Sequence, residues 1–94
     1  MQKLDELEIK NFLKKALGWN LNNNGLEKTF ILKDFKEAMS KMQHIAFEAE
    51  GMNHHPEWFN VYNKLEIRLT THEVKGLSQK DFELAKIIDE IVAK

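Results

Sequence analysis

The chain has 94 residues, 43% of them apolar and 31% charged, and no cysteine. That suits one small globular domain, expected to span residues 1–94, and it excludes a disulfide framework, thiolate catalysis and Cys-based metal sites. Lys and Arg number 14 against 15 Asp and Glu, a formal charge of −1, without the positive excess of a nucleic-acid module.

No apolar run approaches the ~18 residues of a membrane span, and the polar N-terminus lacks a signal peptide's apolar stretch. The expectation is a cytoplasmic protein with no nucleic-acid or membrane partner. Residues 4–17 carry Leu4, Leu7, Phe12, Leu13, Ala16 and Leu17 at three-to-four spacing, with acids early and Lys14 and Lys15 late. The pattern and its charge order predict a first helix, stopped by Gly18. Trp19 to Asn22 reads as a short strand and Leu26 to Leu32 as a second. Asn22-Asn23-Asn24-Gly25 joins them as a hairpin turn, since Asn and Gly tolerate positive φ.

Asp34 with Glu37 three residues on forms a capping-box pattern. Behind it, Phe35, Ala38, Met39, Met42, Ile45, Ala46 and Ala49 make one apolar stripe that ends at Gly51. Phe47 lies roughly 140° from the centre of that stripe, among Lys36, Ser40 and Gln43, which marks a face for self-association. His44, also off the stripe, reads as surface.

Residues 57–71 read as a second hairpin. Placing Phe59, Val61, Leu65, Ile67 and Leu69 on one buried face calls for a three-residue loop pairing Val61 with Leu65 and Phe59 with Ile67. Ser78 caps a third helix bearing Leu84, Ala85, Ile88, Ile91 and Val92. The order is α-β-β-α-β-β-α, an α+β domain: a four-stranded antiparallel sheet with helices packed on one face.

Four histidines remain to be explained, two of them adjacent. Glu50-Gly-Met-Asn-His54-His55-Pro56-Glu57-Trp58 lies between a helix end and a strand start, where functional groups concentrate. Continuing the second hairpin's register sets position 54 opposite His72 and His55 opposite Thr71, so three imidazoles should converge at one end of the sheet. Imidazole both gives and takes protons near neutral pH, which suits proton movement on two sides of one bond. Glu50 could orient one ring, and Trp58 offers a flat apolar surface for a planar ligand. The competing readings are plain: loop histidines with satisfied hydrogen bonds, a zinc site of three histidines, Asp81 as the acidic half of a capping box, and Trp58 as core.

Taken together, Glu50-x-x-x-His54-His55-Pro56 followed by Tyr62, His72 and Asp81 resembles the signature of pterin-4a-carbinolamine dehydratases. The context is similar as well: His-His-Pro-Glu-Trp-Phe-Asn-Val-Tyr-Asn at 54–63, Leu-Thr-Thr-His at 69–72 and Gly-Leu-Ser-x-x-Asp at 76–81. Gly18-Trp19, Phe30-x-Leu32-x-Asp34-Phe35 and Ala46-x-x-Ala49-Glu50 extend the resemblance upstream.

The resemblance implies a dehydratase that eliminates water from 4a-hydroxytetrahydropterin to give quinonoid dihydropterin. That recycles the pterin cofactor of aromatic amino acid hydroxylases, with no metal or cofactor of the enzyme's own. It implies His54 and His55 as general acids toward the hydroxyl, and His72, oriented by Glu50, as base at N5. Trp58, Thr70 and Thr71 would shape the pterin site and Asp81 would support it. The family assembles as homodimers or homotetramers, with the second helix and hence the Phe47 face as the implied contact. Some animal members also serve as dimerisation cofactors for a homeodomain transcription factor, which makes a protein-interaction module the alternative reading.

Overall fold

Asn23 and Asn24 both take left-handed backbone, φ 47° and 62°, as a two-residue turn that follows the strand twist requires. They join strand β1, Asn20–Asn22, to β2, Gly25–Ile31. Gly25 has no room for a side chain: a Cβ there would lie 2.4 Å from Arg68 Nη1. The Arg68 guanidinium needs that space because it donates to the carbonyls of Asn22 and Asn23, at 2.7 and 2.6 Å.

A second hairpin joins β3, Glu57–Val61, to β4, Lys64–Leu69. In the computed structural model, which describes residues 1–94, β2 and β4 pair down the middle and the sheet runs β1-β2-β4-β3, antiparallel throughout. Helices α1 (Glu6–Leu13), α2 (Phe35–Gly51) and α3 (Gln79–Ala93) pack on one face. This is the α+β arrangement expected, with one addition, a 3-10 turn over His72–Val74.

α1 is shorter than its apolar pattern suggested. Asp5 caps it through reciprocal bonds with Glu8 of 2.8 and 3.0 Å. Beyond Leu13 the chain tightens into i to i−3 bonds up to Gly18, so that Trp19 can turn into the core, where it is 4% exposed. Phe12 stacks on Phe82 of α3 at 4.8 Å. Lys28 sits on the helix-facing side of the sheet, where its ammonium bonds Leu17 O and Asp89 Oδ1 at 3.0 and 2.8 Å. Trp19 Nε1 donates to the other Asp89 oxygen, so this half-buried lysine ties β2 to α3.

α2 begins where its cap predicted: Asp34 accepts from Glu37 N at 2.8 Å, although Glu37 bonds Lys33 N rather than Asp34 N. Ala38, Ile45 and Ala49 are buried and Met42 packs beside them. Phe35, Met39 and Ala46, at the edge of the expected stripe, stay exposed, as do Phe47 and His44.

The second hairpin differs from expectation. Its loop is the two residues Tyr62-Asn63, and the pairs are Trp58 with Ile67, Phe59 with Glu66 and Asn60 with Leu65. A one-residue shift turns every side chain of a strand over. Trp58 and Asn60 therefore share the helix-facing side with Leu65, Ile67 and Leu69, while Phe59 and Val61 stand on the open side, 59% and 52% exposed. Asn60 explains the choice: its Nδ2 donates to Tyr62 O and Lys64 O, at 3.1 and 2.8 Å, and so holds Tyr62 at φ 52°. Asn63 then exchanges bonds with Leu32 and continues the β2–β4 ladder.

This register is testable by stability. Leu65→Ala should cost about 2–5 kcal/mol in urea unfolding, whereas Phe59→Ser should change stability by no more than about 0.5 kcal/mol. Comparable losses in the two variants would contradict it.

Candidate active site

The carboxyl end of α2 is built to deliver histidines. Asn53 takes left-handed backbone, φ 51°, Asn53 N bonds Glu50 O at 3.1 Å and His54 N bonds Ala49 O at 3.0 Å. This is a Schellman closure with Asn in the place usually held by Gly. Gly51 is the last helical residue and not the stop signal it resembled. The closure fixes His54 against the helix end, and β3 begins three residues later at Glu57. Because β3 starts where the antiparallel β4 finishes, His54, His55 and His72 all lie at one end of the sheet. The ladder itself stops at the Glu57–Arg68 pair.

Each of these histidines stands beside a carboxylate. His54 Nε2 is 2.6 Å from Asp81 Oδ1, in a pair whose side chains are 9% and 0% exposed. His55 Nε2 is 2.8 Å from Glu50 Oε1, with both side chains more than half exposed. His72 Nε2 is 3.4 Å from Glu57 Oε2 and is 82% exposed. Glu50 therefore holds His55, not the His72 it was expected to orient. Glu57, which the sequence reading left without a role, is the neighbour of His72 and also lies 3.8 Å from Arg68 Nε. The hairpin register would have signalled this, since Glu57 is the partner of Arg68 at the end of β4.

Asp81 is a junction. Its Oδ2 accepts from Thr71 Oγ1 at 2.7 Å and from Ser78 N at 2.9 Å, the latter being the acidic half of the anticipated capping box. Thr71 and Ser78 hydroxyls are 2.7 Å apart, and both residues are buried. A bridge between Thr71 and Gly76 closes the loop that carries His72. Thr70 Oγ1 donates to Asn24 O at 2.8 Å. Both threonine hydroxyls expected to shape a ligand site are thus engaged within the protein. Ser78, known from sequence only as a helix cap, joins the buried network.

Trp58 is half-buried against the core and also lines the cleft on the sheet, so only part of its surface is open to a ligand. A shallow cleft of about 320 Å³ opens on the uncovered sheet face, lined by Glu27, Thr29, Glu57, Phe59, Glu66 and Arg68 among others; no histidine lines it. The site is an open rim, rich in proton donors and acceptors. No group of three His, Asp or Glu side chains has the arrangement of a metal-ligand set.

Fold and site define a small α+β protein with a carboxylate-supported histidine cluster at the end of its sheet. The chain belongs to the family described as pterin 4 alpha carbinolamine dehydratase, whose model matches residues 2–91. A protein of Christiangramia forsetii bearing the name pterin-4-alpha-carbinolamine dehydratase is 49% identical over 98% of this chain and 95% of its own length. One of the same name from Sulfurisphaera tokodaii is 47% identical over 98% and 99%. The crystal structure of a transcriptional coactivator/pterin dehydratase from Brucella melitensis superposes with a TM-score of 0.94 at 33% identity, over 97% of this chain and 99% of that one.

The difference in burial between the pairs has a measurable consequence. Asp81→Ala strands three buried donors and should cost about 2–4 kcal/mol in urea unfolding. Glu50→Ala breaks an exposed pair and should cost less than about 1 kcal/mol. Equal losses would mean that Asp81 is not the buried junction described.

Proposed function

We propose that this protein dehydrates 4a-hydroxytetrahydropterin to quinonoid dihydropterin by histidine acid–base catalysis. The observation that carries the reading is the set of three imidazoles, each beside its own carboxylate, at positions that match the family signature. In the elimination the C4a–O bond breaks, the hydroxyl leaves as water with an added proton, and N5 loses a proton as the C4a–N5 double bond forms. One acid and one base on either side of that bond are what the reaction needs. His55, held by Glu50 and open to solvent, suits proton delivery to the hydroxyl. His72, the most exposed ring, suits removal of the N5 proton, with Glu57 beside it to take up the charge it gains. His54 adds a third imidazole from the wall of the site, backed by Asp81. Trp58 and the Thr70-Thr71 backbone would border the flat ring system. Proton transfer of this kind supplies about 10²–10⁴-fold, with orientation adding to it.

The same reading makes the protein a cytoplasmic homo-oligomer. The support for assembly is α2, where Phe47 is 70% exposed on the outer face and Phe35 and Met39 are exposed at the edge of the buried stripe, together more apolar surface than a helix usually leaves in water. The coactivator description of the Brucella relative favours a second reading, in which this face engages another protein.

The decisive assay follows the decay of freshly generated 4a-hydroxytetrahydropterin by absorbance. Wild-type protein should accelerate it, and His55→Ala and His72→Ala should each lose about 10²-fold of the acceleration. No acceleration by the wild type would end the dehydratase reading. For the α2 face, Phe47→Glu should lower the mass measured by light scattering. An unchanged mass would remove Phe47 from the assembly contact, and a bound helical partner lost with this variant would favour the second reading.

A further inference from the structure

The hydrogen bonds around Asp81 have a direction. Thr71 Oγ1 donates to Asp81 Oδ2, so the Thr71–Ser78 contact of 2.7 Å must carry the proton of Ser78. Ser78 contributes a second donor, its backbone N–H, to the same carboxylate oxygen at 2.9 Å. With Oδ2 taken up from two sides, Oδ1 is left aimed at His54 Nε2, 2.6 Å away. An ionised carboxylate only accepts, so Nε2 carries a hydrogen. The other ring nitrogen is in a different position. The ring of His54 bonds through Nε2 alone, yet no buried side-chain nitrogen or oxygen lacks a partner. Nδ1 is therefore not sealed from solvent, although the residue is only 8% exposed.

We propose that Ser78 and Thr71 are positioning residues that act through Asp81 to fix His54 with Nε2–H turned inward, so that His54 exchanges protons with a ligand through Nδ1 alone. The idea deepens the dehydratase reading and its kinetic half rests on it. Thr71, expected to shape the pterin site, becomes instead the link between a helix cap and a ring. Neutral or protonated, His54 keeps the same inward bond, and only the Nδ1 proton comes and goes. A buried acceptor locked by two donors holds the ring where an exposed carboxylate such as Glu50 would let it turn.

The test has two arms on the full chain. Ring ¹⁵N NMR of wild type should show neutral His54 as one tautomer, protonated at Nε2. Thr71→Val should mix the two tautomers, and Thr71→Ser, which restores the hydroxyl, should return the single form. In the pterin assay Thr71→Val should lower kcat about tenfold with KM changed by less than about twofold, and Thr71→Ser should recover the rate. Should Thr71→Val fail to fold, Ser78→Ala decides alone, with the same tautomer mixing and a kcat loss of about threefold. A wild-type ring protonated at Nδ1, or a folded variant with unchanged tautomer and kcat, overturns the proposal. Absence of any wild-type activity with the tautomer results as expected would instead sink the dehydratase reading and leave the positioning network standing.

Discussion

The buried carboxylate of Asp81 is the constraint on which the working end of the molecule depends. It is wholly enclosed, and three separate pieces of chain supply its donors: His54 after α2, Thr71 after β4 and Ser78 at the start of α3. Burying a charge without such donors costs far more than any one contact returns. The three segments are therefore held together as a unit, and the loop that carries His72 is closed beside them. One acidic side chain caps a helix, cross-links the sheet end to α2 and sets one ring of the histidine cluster.

Around this fixed point the site grades outward from rigid to open. His54 is inside the wall, while His55 and His72 stand in water beside Glu50 and Glu57. Exposed pairs contribute little to stability, so these two contacts tie down their rings far less than Asp81 ties down His54. The proposed proton exchange calls for a rim of this kind, with a packed support and solvated tips, more than for three equally buried rings. The uncovered sheet face beside it gains its character from the same hairpin. Turning Phe59 and Val61 outward leaves apolar side chains among Glu27, Glu66 and Arg68, and turning Trp58 inward packs one more aromatic against a core that already holds Trp19, Phe30 and Phe82.

Much of this was legible in the residues themselves, where the signal is local. Asp34 and Glu37 announced α2, the Asn-rich turn announced the first hairpin, and the α-β-β-α-β-β-α order followed from periodicity and breakers. The histidine cluster was legible to the level of which residues gather. Its pairing was not. Glu50 could serve His55 or His72, and only the path of the chain after Asn53 decides for His55. The second hairpin misled because alternation specifies two faces without saying which is buried. Phe59 and Val61 are the more apolar pair, yet Trp58 is larger, and Asn60 turns inward to bond the turn.

By itself, then, the sequence determined the elements and their order, because each depends on residues within about one helical turn or one hairpin loop of each other. Only the tertiary structure decided the register of β3 on β4, the partner of each histidine and the enclosure of Asp81. Those depend on contacts between residues 5 to 27 positions apart, where several pairings satisfy the same local pattern and packing selects the one that leaves no buried side-chain nitrogen or oxygen unbonded.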